Sequence, residues 1–253
     1  MSMEWLKSFW RKKKVIDPTD TPVDAPTVVI PIKHAKDFAA VILVAPRYDQ
    51  LTTAMEIWMR ELEKELHASG ANVIPIYGNR ATGAELGQVL TEIGNSEVLL
   101  VFYGHGVDEA FCTVRSPGSP VVVDGVEHGR LCGFEEFDKT ARLAIAAFCC
   151  HAAKDLGRAL RRRATPARFL GFTDYLDFVF EPSAQVAFAR PMARIVSETV
   201  ALGELTRDAW RRLHEEYTAV SAEWTSGSMA GSDRSLLVAM FLDEHRDFID
   251  PTV

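Results

Sequence analysis

Two short stretches of the chain hold residue types that do covalent chemistry. One apolar run ends in Tyr103-Gly104-His105-Gly106, and a second ends in Phe148-Cys149-Cys150-His151. A cysteine attacks a carbonyl as its thiolate, so it needs a proton shuttle in reach and N–H donors for the oxyanion that forms. His105 is the candidate shuttle, Cys150 the candidate nucleophile, and the backbone N–H groups of Gly106 and Cys150 the candidate oxyanion donors. The glycines flanking His105 let a substrate backbone approach with no Cβ in the way. A strand-to-helix turn at Cys150 is expected to bring a helix N-terminus close to the thiol, where its partial positive charge lowers the pKa. Cys149 is the internal rival, because successive strand residues point to opposite faces and only one of the pair meets His105.

Positioning these residues takes two neighbouring strands, and the hydrophobic periods supply candidates. Ala39 to Ala45 is a continuous apolar run of strand length, followed by Leu51, Met55, Trp58, Leu62 and Leu66 at helical spacing. The alternation repeats with a strand at Asn72 to Tyr77, a helix at Thr82 to Ile93 and a strand at Glu97 to Tyr103. Arg142 to Phe148 predicts a fourth strand, Lys154 to Arg163 a helix, and Ala167 to Phe172 a fifth strand. Helices are predicted over 184–202 and 204–221, and a Gly/Ser-rich break at 225–232 precedes a last apolar segment, Leu236 to Leu242. Between the third and fourth strands, Phe111 to Val114 and Val121 to Asp124 flank Ser116-Pro117-Gly118-Ser119-Pro120 and predict a small hairpin insertion. Fully apolar strands alternating with helices imply a three-layer α/β fold, a mostly parallel sheet flanked by helices. Ligands in such sheets bind beyond the carboxyl ends of the strands, which is where His105 and Cys150 fall.

The strings VLLVFYGHG and RLAIAAFCCHAAKDLG resemble the caspase-like cysteine proteases, and among them the bacterial CHAT-type domains. FLGFTDYLDF and SAQVAFARPMARIVSETVALG are similar to the segments downstream of the cysteine in that family, so the resemblance spans residues 38–245. His105 and Cys150 are 45 positions apart, close to the roughly 50 that separate the pair in caspases. The resemblance implies a caspase-like fold, a His105–Cys150 dyad with Gly106 as oxyanion glycine, and peptide-bond hydrolysis through an acyl-enzyme with no cofactor. It implies as well a regulated thiol endopeptidase that cuts a dedicated protein substrate, under an activating or inhibitory protein partner, in a bacterial defence or programmed-death circuit. The family's primary pocket draws on the loop after the first strand and on strands near the cysteine, where this chain offers Arg47, Asp49 and Asp174. Arg47 favours an acidic residue at the cleavage position and the aspartates a basic one. His151 and Ala152 depart from the family's usual turn, no Gln-Ala-Cys-Arg-Gly stretch occurs, and Phe148 stands where arginine-cleaving relatives often place an acid. A catalytically inactive caspase-like fold serving as a binding or signalling module is the alternative.

The remaining composition bounds the partners. The chain divides into a tail and linker, 1–31, and one domain, 32–253. Lys7, Arg11, Lys12, Lys13 and Lys14 stand against Glu4 at the N-terminus, beside Trp5, Leu6, Phe9 and Trp10 on one face of a helical turn. Such a tail docks on a protein partner or on an anionic membrane surface, and Pro18, Pro22, Pro26 and Pro31 make the following segment an extended linker. A net charge of −7 argues against a nucleic-acid partner. No apolar run reaches the roughly 18 residues of a membrane span, no secretory signal is read, and adjacent cysteines make a poor disulfide framework, so a cytoplasmic setting is expected. His128 and Cys132 have a spacing too common to define a metal site, and neither metal nor cofactor is expected.

Overall fold

Strands that are apolar throughout need cover on both faces, and the chain folds to provide it. The computed structural model describes residues 38–113, 121–123, 126–133, 137, 142–162, 167–226 and 230–251. Strand β1 (Ala40–Ala45), helix α1 (Gln50–Ala68), strand β2 (Val73–Tyr77), helix α2 (Gly83–Ile93) and strand β3 (Glu97–Tyr103) alternate as their periods predict. An insertion then carries strands β4 (Gly106–Val107), β5 (Ala110–Thr113), β6 (Val121–Val123) and β7 (Val126–Gly133). After it come strand β8 (Arg142–Phe148), helix α3 (Asp155–Arg162), strand β9 (Arg168–Leu170), and helices α4 (Pro182–Leu202), α5 (Ala209–Ser226) and α6 (Asp233–Asp247). The main sheet has the order β2-β1-β3-β8-β9 with every neighbouring pair parallel. It is an α/β fold with a mostly parallel sheet flanked by helices.

Strand alternation splits the core in two. Val41, Leu43, Leu99, Val101, Ala146 and Phe148 face one way, toward α1, α4, α5 and α6. Ile42, Val44, Leu100, Phe102, Ile145 and Ala147 face the other, toward α2 and α3. Helix ends follow local chemistry: Asp49 and Thr52 form a capping box at the start of α1, Thr82 caps α2 by accepting from the Glu85 amide at 3.2 Å, and Gly203 closes α4 in the left-handed region at φ 72°. Pro75 lies within β2, which is tolerated because that strand is at the sheet margin. Helix α5 begins later than its apolar spacing predicts, at Ala209, after a turn closed by the Ala209 amide on the Thr206 carbonyl at 3.1 Å.

The insertion is more than the expected hairpin. Its four strands make an antiparallel sheet in the order β4-β5-β7-β6. The two strands predicted to pair, β5 and β6, instead each pair with β7, β5 along residues 129–133 and β6 along residues 126–128, for which the eight residues of β7 are long enough. The Ser116–Pro120 turn, the N-terminal tail and the linker lie outside the described residues. Among the described residues no helix is long and apolar enough to cross a membrane.

Candidate active site

The site follows from the register of two strands. Between β3 and β8, Glu97 faces Arg142 and Tyr103 faces Phe148, an offset of 45 positions throughout. His105 and Cys150 carry the same offset, so each lies two residues past the end of its strand at one level of the sheet. The Gly104 amide donates to the Phe148 carbonyl at 3.3 Å and carries the ladder one residue further. Neighbouring strands are about 4.8 Å apart, which brings the two residues to one rim.

Alternation separates the two cysteines. Cys149 is buried in the core on the α2 and α3 side, whereas Cys150 is partly exposed and packs on the rim of the opposite core. Burial pushes the Cys149 thiol well above its ordinary pKa, and burial likewise pushes Cys112 up to about 12, with the nearby Cys150 adding to both. Cys112 is buried beside His105: its amide donates to the His105 carbonyl at 3.0 Å, making the two a cross-strand pair with side chains on one face.

That same pairing defines the backbone of Gly106. Because His105 and Cys112 form a hydrogen-bonded pair, the next residues, Gly106 and Phe111, form a non-hydrogen-bonded one, and the Gly106 N–H points away from β5. A Cβ on Gly106 would stand 2.5 Å from the Cys150 carbonyl oxygen and 2.7 Å from Cys149 Sγ. Only glycine lets β4 lie this close to the cysteine turn.

His105 Nε2–H donates to Asp49 Oδ2 at 2.7 Å. The other carboxylate oxygen, Oδ1, accepts from the Thr52 amide and hydroxyl, both at 2.8 Å, so the α1 capping box clamps the group that orients the imidazole. Burial alone would raise the Asp49 carboxyl, but the hydrogen bonds from His105 and Thr52 and the charge of His105 bring it down to about 2. Asp49 is thus ionised at neutral pH. Nε2 is the ring nitrogen committed to Asp49, and Nδ1 is the one turned away from that carboxylate. The Tyr48 ring, 5.9 Å from the imidazole, walls the other side.

The expected helix N-terminus is not what the sulfur meets. Helix α3 starts at Asp155, after a turn in which His151 adopts the left-handed conformation at φ 57°, and the Asp155 and Leu156 amides donate to the Asp108 carbonyl at 3.1 and 2.7 Å. Cys150 Sγ instead accepts from the Leu176 amide at 3.3 Å, a donor on the loop between β9 and α4.

The expected pocket residues separate. Arg47 turns its guanidinium to the buried Glu56, 3.5 Å away. Asp49, expected as a lining residue, spends both oxygens on the cap and on His105. Asp174 stays beside the cysteine turn: its carbonyl accepts from the His151 amide at 3.3 Å and its carboxylate lies 4.0 Å from His151 Nδ1, with Asp108 at 3.6 Å from the same nitrogen. Three participants escape sequence reasoning, namely Asp108, the Leu176 amide and the orienting role of Asp49. Of these only Asp49 leaves a signal, an Asp-x-x-Thr cap directly after a strand. Among the described residues, no three His, Cys, Asp or Glu side chains converge as metal ligands. Compared with family models, with curated proteins and with solved structures, the chain matches none.

Proposed function

We propose that the chain is a caspase-like cysteine endopeptidase in which Cys150, His105 and Asp49 act as a relay. The observation that carries this reading is the shared offset of 45, which delivers a histidine and a cysteine from adjacent parallel strands to one rim. In the reaction, the Cys150 thiolate attacks the scissile carbonyl carbon, His105 gives its proton to the leaving amine, and water then hydrolyses the thioester with His105 as base. Asp49 holds the imidazole in the tautomer that presents Nδ1 and stabilises it when charged. The Gly106 N–H, turned away from its own ladder, is the oxyanion donor together with that of Cys150.

The substrate is a polypeptide, and the resemblance to CHAT-type domains supports a regulated bacterial defence or programmed-death circuit, with an activating or inhibitory partner, as the setting. The test is a fluorogenic peptide library with Arg, Lys, Asp, Asn and Leu at the cleavage position. Wild type is expected to cut at least one class, with turnover lost in Cys150→Ala and His105→Ala and kept in Cys149→Ala. Turnover that survives Cys150→Ala sinks the reading.

A further inference from the structure

The loop 171–181 carries the amide that touches the nucleophile sulfur, and the C-terminal segment holds it. Phe172 bridges Ile249, the Thr173 amide donates to the Phe248 carbonyl at 2.8 Å, and the Asp250 amide donates to the Gly171 carbonyl at 3.0 Å. These contacts secure the start of the loop. Further along, one residue away from Leu176, the Asp177 carbonyl accepts from His245 Nε2–H at 2.8 Å.

His245 is an odd choice for its surroundings. It is fully buried, and its ring lies within 6.1 Å of the rings of Phe148, Phe172, Phe178, Phe188 and Tyr217. Burial lowers its pKa to about 3, so it is neutral, and its Nδ1 is buried with no hydrogen-bond partner. A phenylalanine would fill this aromatic cluster without a buried lone pair, which is destabilising when unmet. What phenylalanine lacks is the Nε2–H that reaches Asp177.

We propose that His245 is a positioning residue for the Cys150 sulfur: by fixing the Asp177 carbonyl it aims the Leu176 N–H at Sγ and thereby favours the thiolate. A hydrogen bond to the charged form lowers a pKa, and here it does the task that the start of α3, occupied by Asp108, does not perform. The inference rests on the reading of Cys150 as nucleophile.

The test is the pH dependence of iodoacetamide labelling at Cys150, read by fragment mass spectrometry on the full chain, with thermal melting as the check on folding. The ionisable groups near the sulfur are His105, Asp49, Cys112, Cys149, His151, Asp108 and Asp174, and those near His245 are Tyr217, Asp177 and Glu244. All are common to the variants compared. His245→Phe, which keeps the ring and loses the donor, is expected to move the labelling midpoint up by about one pH unit, a roughly tenfold slower reaction below both midpoints. His245→Gln, which keeps an N–H donor, is expected to restore most of the difference. If His245→Phe does not fold, His245→Met fills the cluster without a donor and takes its place. An unmoved midpoint in a folded donor-free variant, or a glutamine variant no closer to wild type than phenylalanine, overturns the proposal. Peptide turnover is scored separately, so a midpoint that shifts in a chain with no Cys150-dependent turnover overturns the protease reading and leaves the positioning role standing.

Discussion

The two faces of the parallel sheet are built from the same strands and do different work. On the α2 and α3 side the packing is aliphatic apart from Phe102, stacked on Phe111 with centroids 4.2 Å apart, with Phe137 and Phe169 beside it, and the cysteine that faces it, Cys149, is sealed. On the α1, α4, α5 and α6 side, Phe148 at the end of β8 meets Tyr103, Trp58, Phe172 and Phe178, and a histidine sits among the rings. Cys150 stands at the rim of that second face. One residue of alternation separates a sealed thiol from one that reaches the rim, so side-chain parity decides which of two identical residues is exposed.

Removing each thiol in turn separates the two faces most clearly. Cys150→Ala is expected to lower peptide turnover by on the order of 10³-fold or more, and Cys149→Ala to leave it within a few-fold while costing about 1 kcal/mol or more of stability, since it empties a packed site. Equal loss in both variants would mean that parity does not sort the thiols. Next in size, Asp49→Asn keeps the shape of the α1 cap but removes the charge beside His105, and kcat is expected to fall about 10²-fold with KM little changed. Steady-state kinetics on the same peptide checks it.

Gly106→Ala tests the backbone approach between the faces. Its Cβ would meet a carbonyl oxygen of the cysteine turn, which cannot swing aside like a side chain, so a loss of about 1–3 kcal/mol is expected in urea unfolding. A further effect to resolve is the pH dependence of stability. His245 titrates at about 3 when folded against 6.5 as a free side chain, so the unfolded chain binds more protons in that window. Its contribution is full above pH 6.5 and is lost as pH falls toward 3. Asp49, held at about 2 against 3.8, contributes fully above pH 3.8 and loses that contribution as pH falls through 2. Melting curves across pH 7 to 4 are therefore expected to slope downward in wild type and less steeply in His245→Phe.

Much of this was legible in the residues, and the limits have physical causes. Strands β1, β3 and β8 announce themselves because a strand buried on both faces has no polar alternation to disguise it. Strand β7 hides because Val126–Gly133 mixes Glu127, His128 and Arg130 with two glycines, a pattern that reads as a loop until β5 and β6 are placed beside it. His105 and Cys150 are found by side-chain type at strand ends. The Leu176 amide leaves no trace, since a main-chain donor carries no residue signature and its aim depends on a contact with His245, 69 positions further along. Asp49 is visible as a helix cap, but its second oxygen is committed only once β1 and β3 lie side by side.

The margins of the main sheet bear on self-association. One border, β2, is five residues long and interrupted by Pro75, which offers no N–H, and the other, β9, is only three residues before the chain turns to meet Ile249. Neither border is a good template for an added strand, which needs an uninterrupted row of donors and acceptors. Two copies of this molecule are therefore poorly served by joining edge to edge along the main sheet.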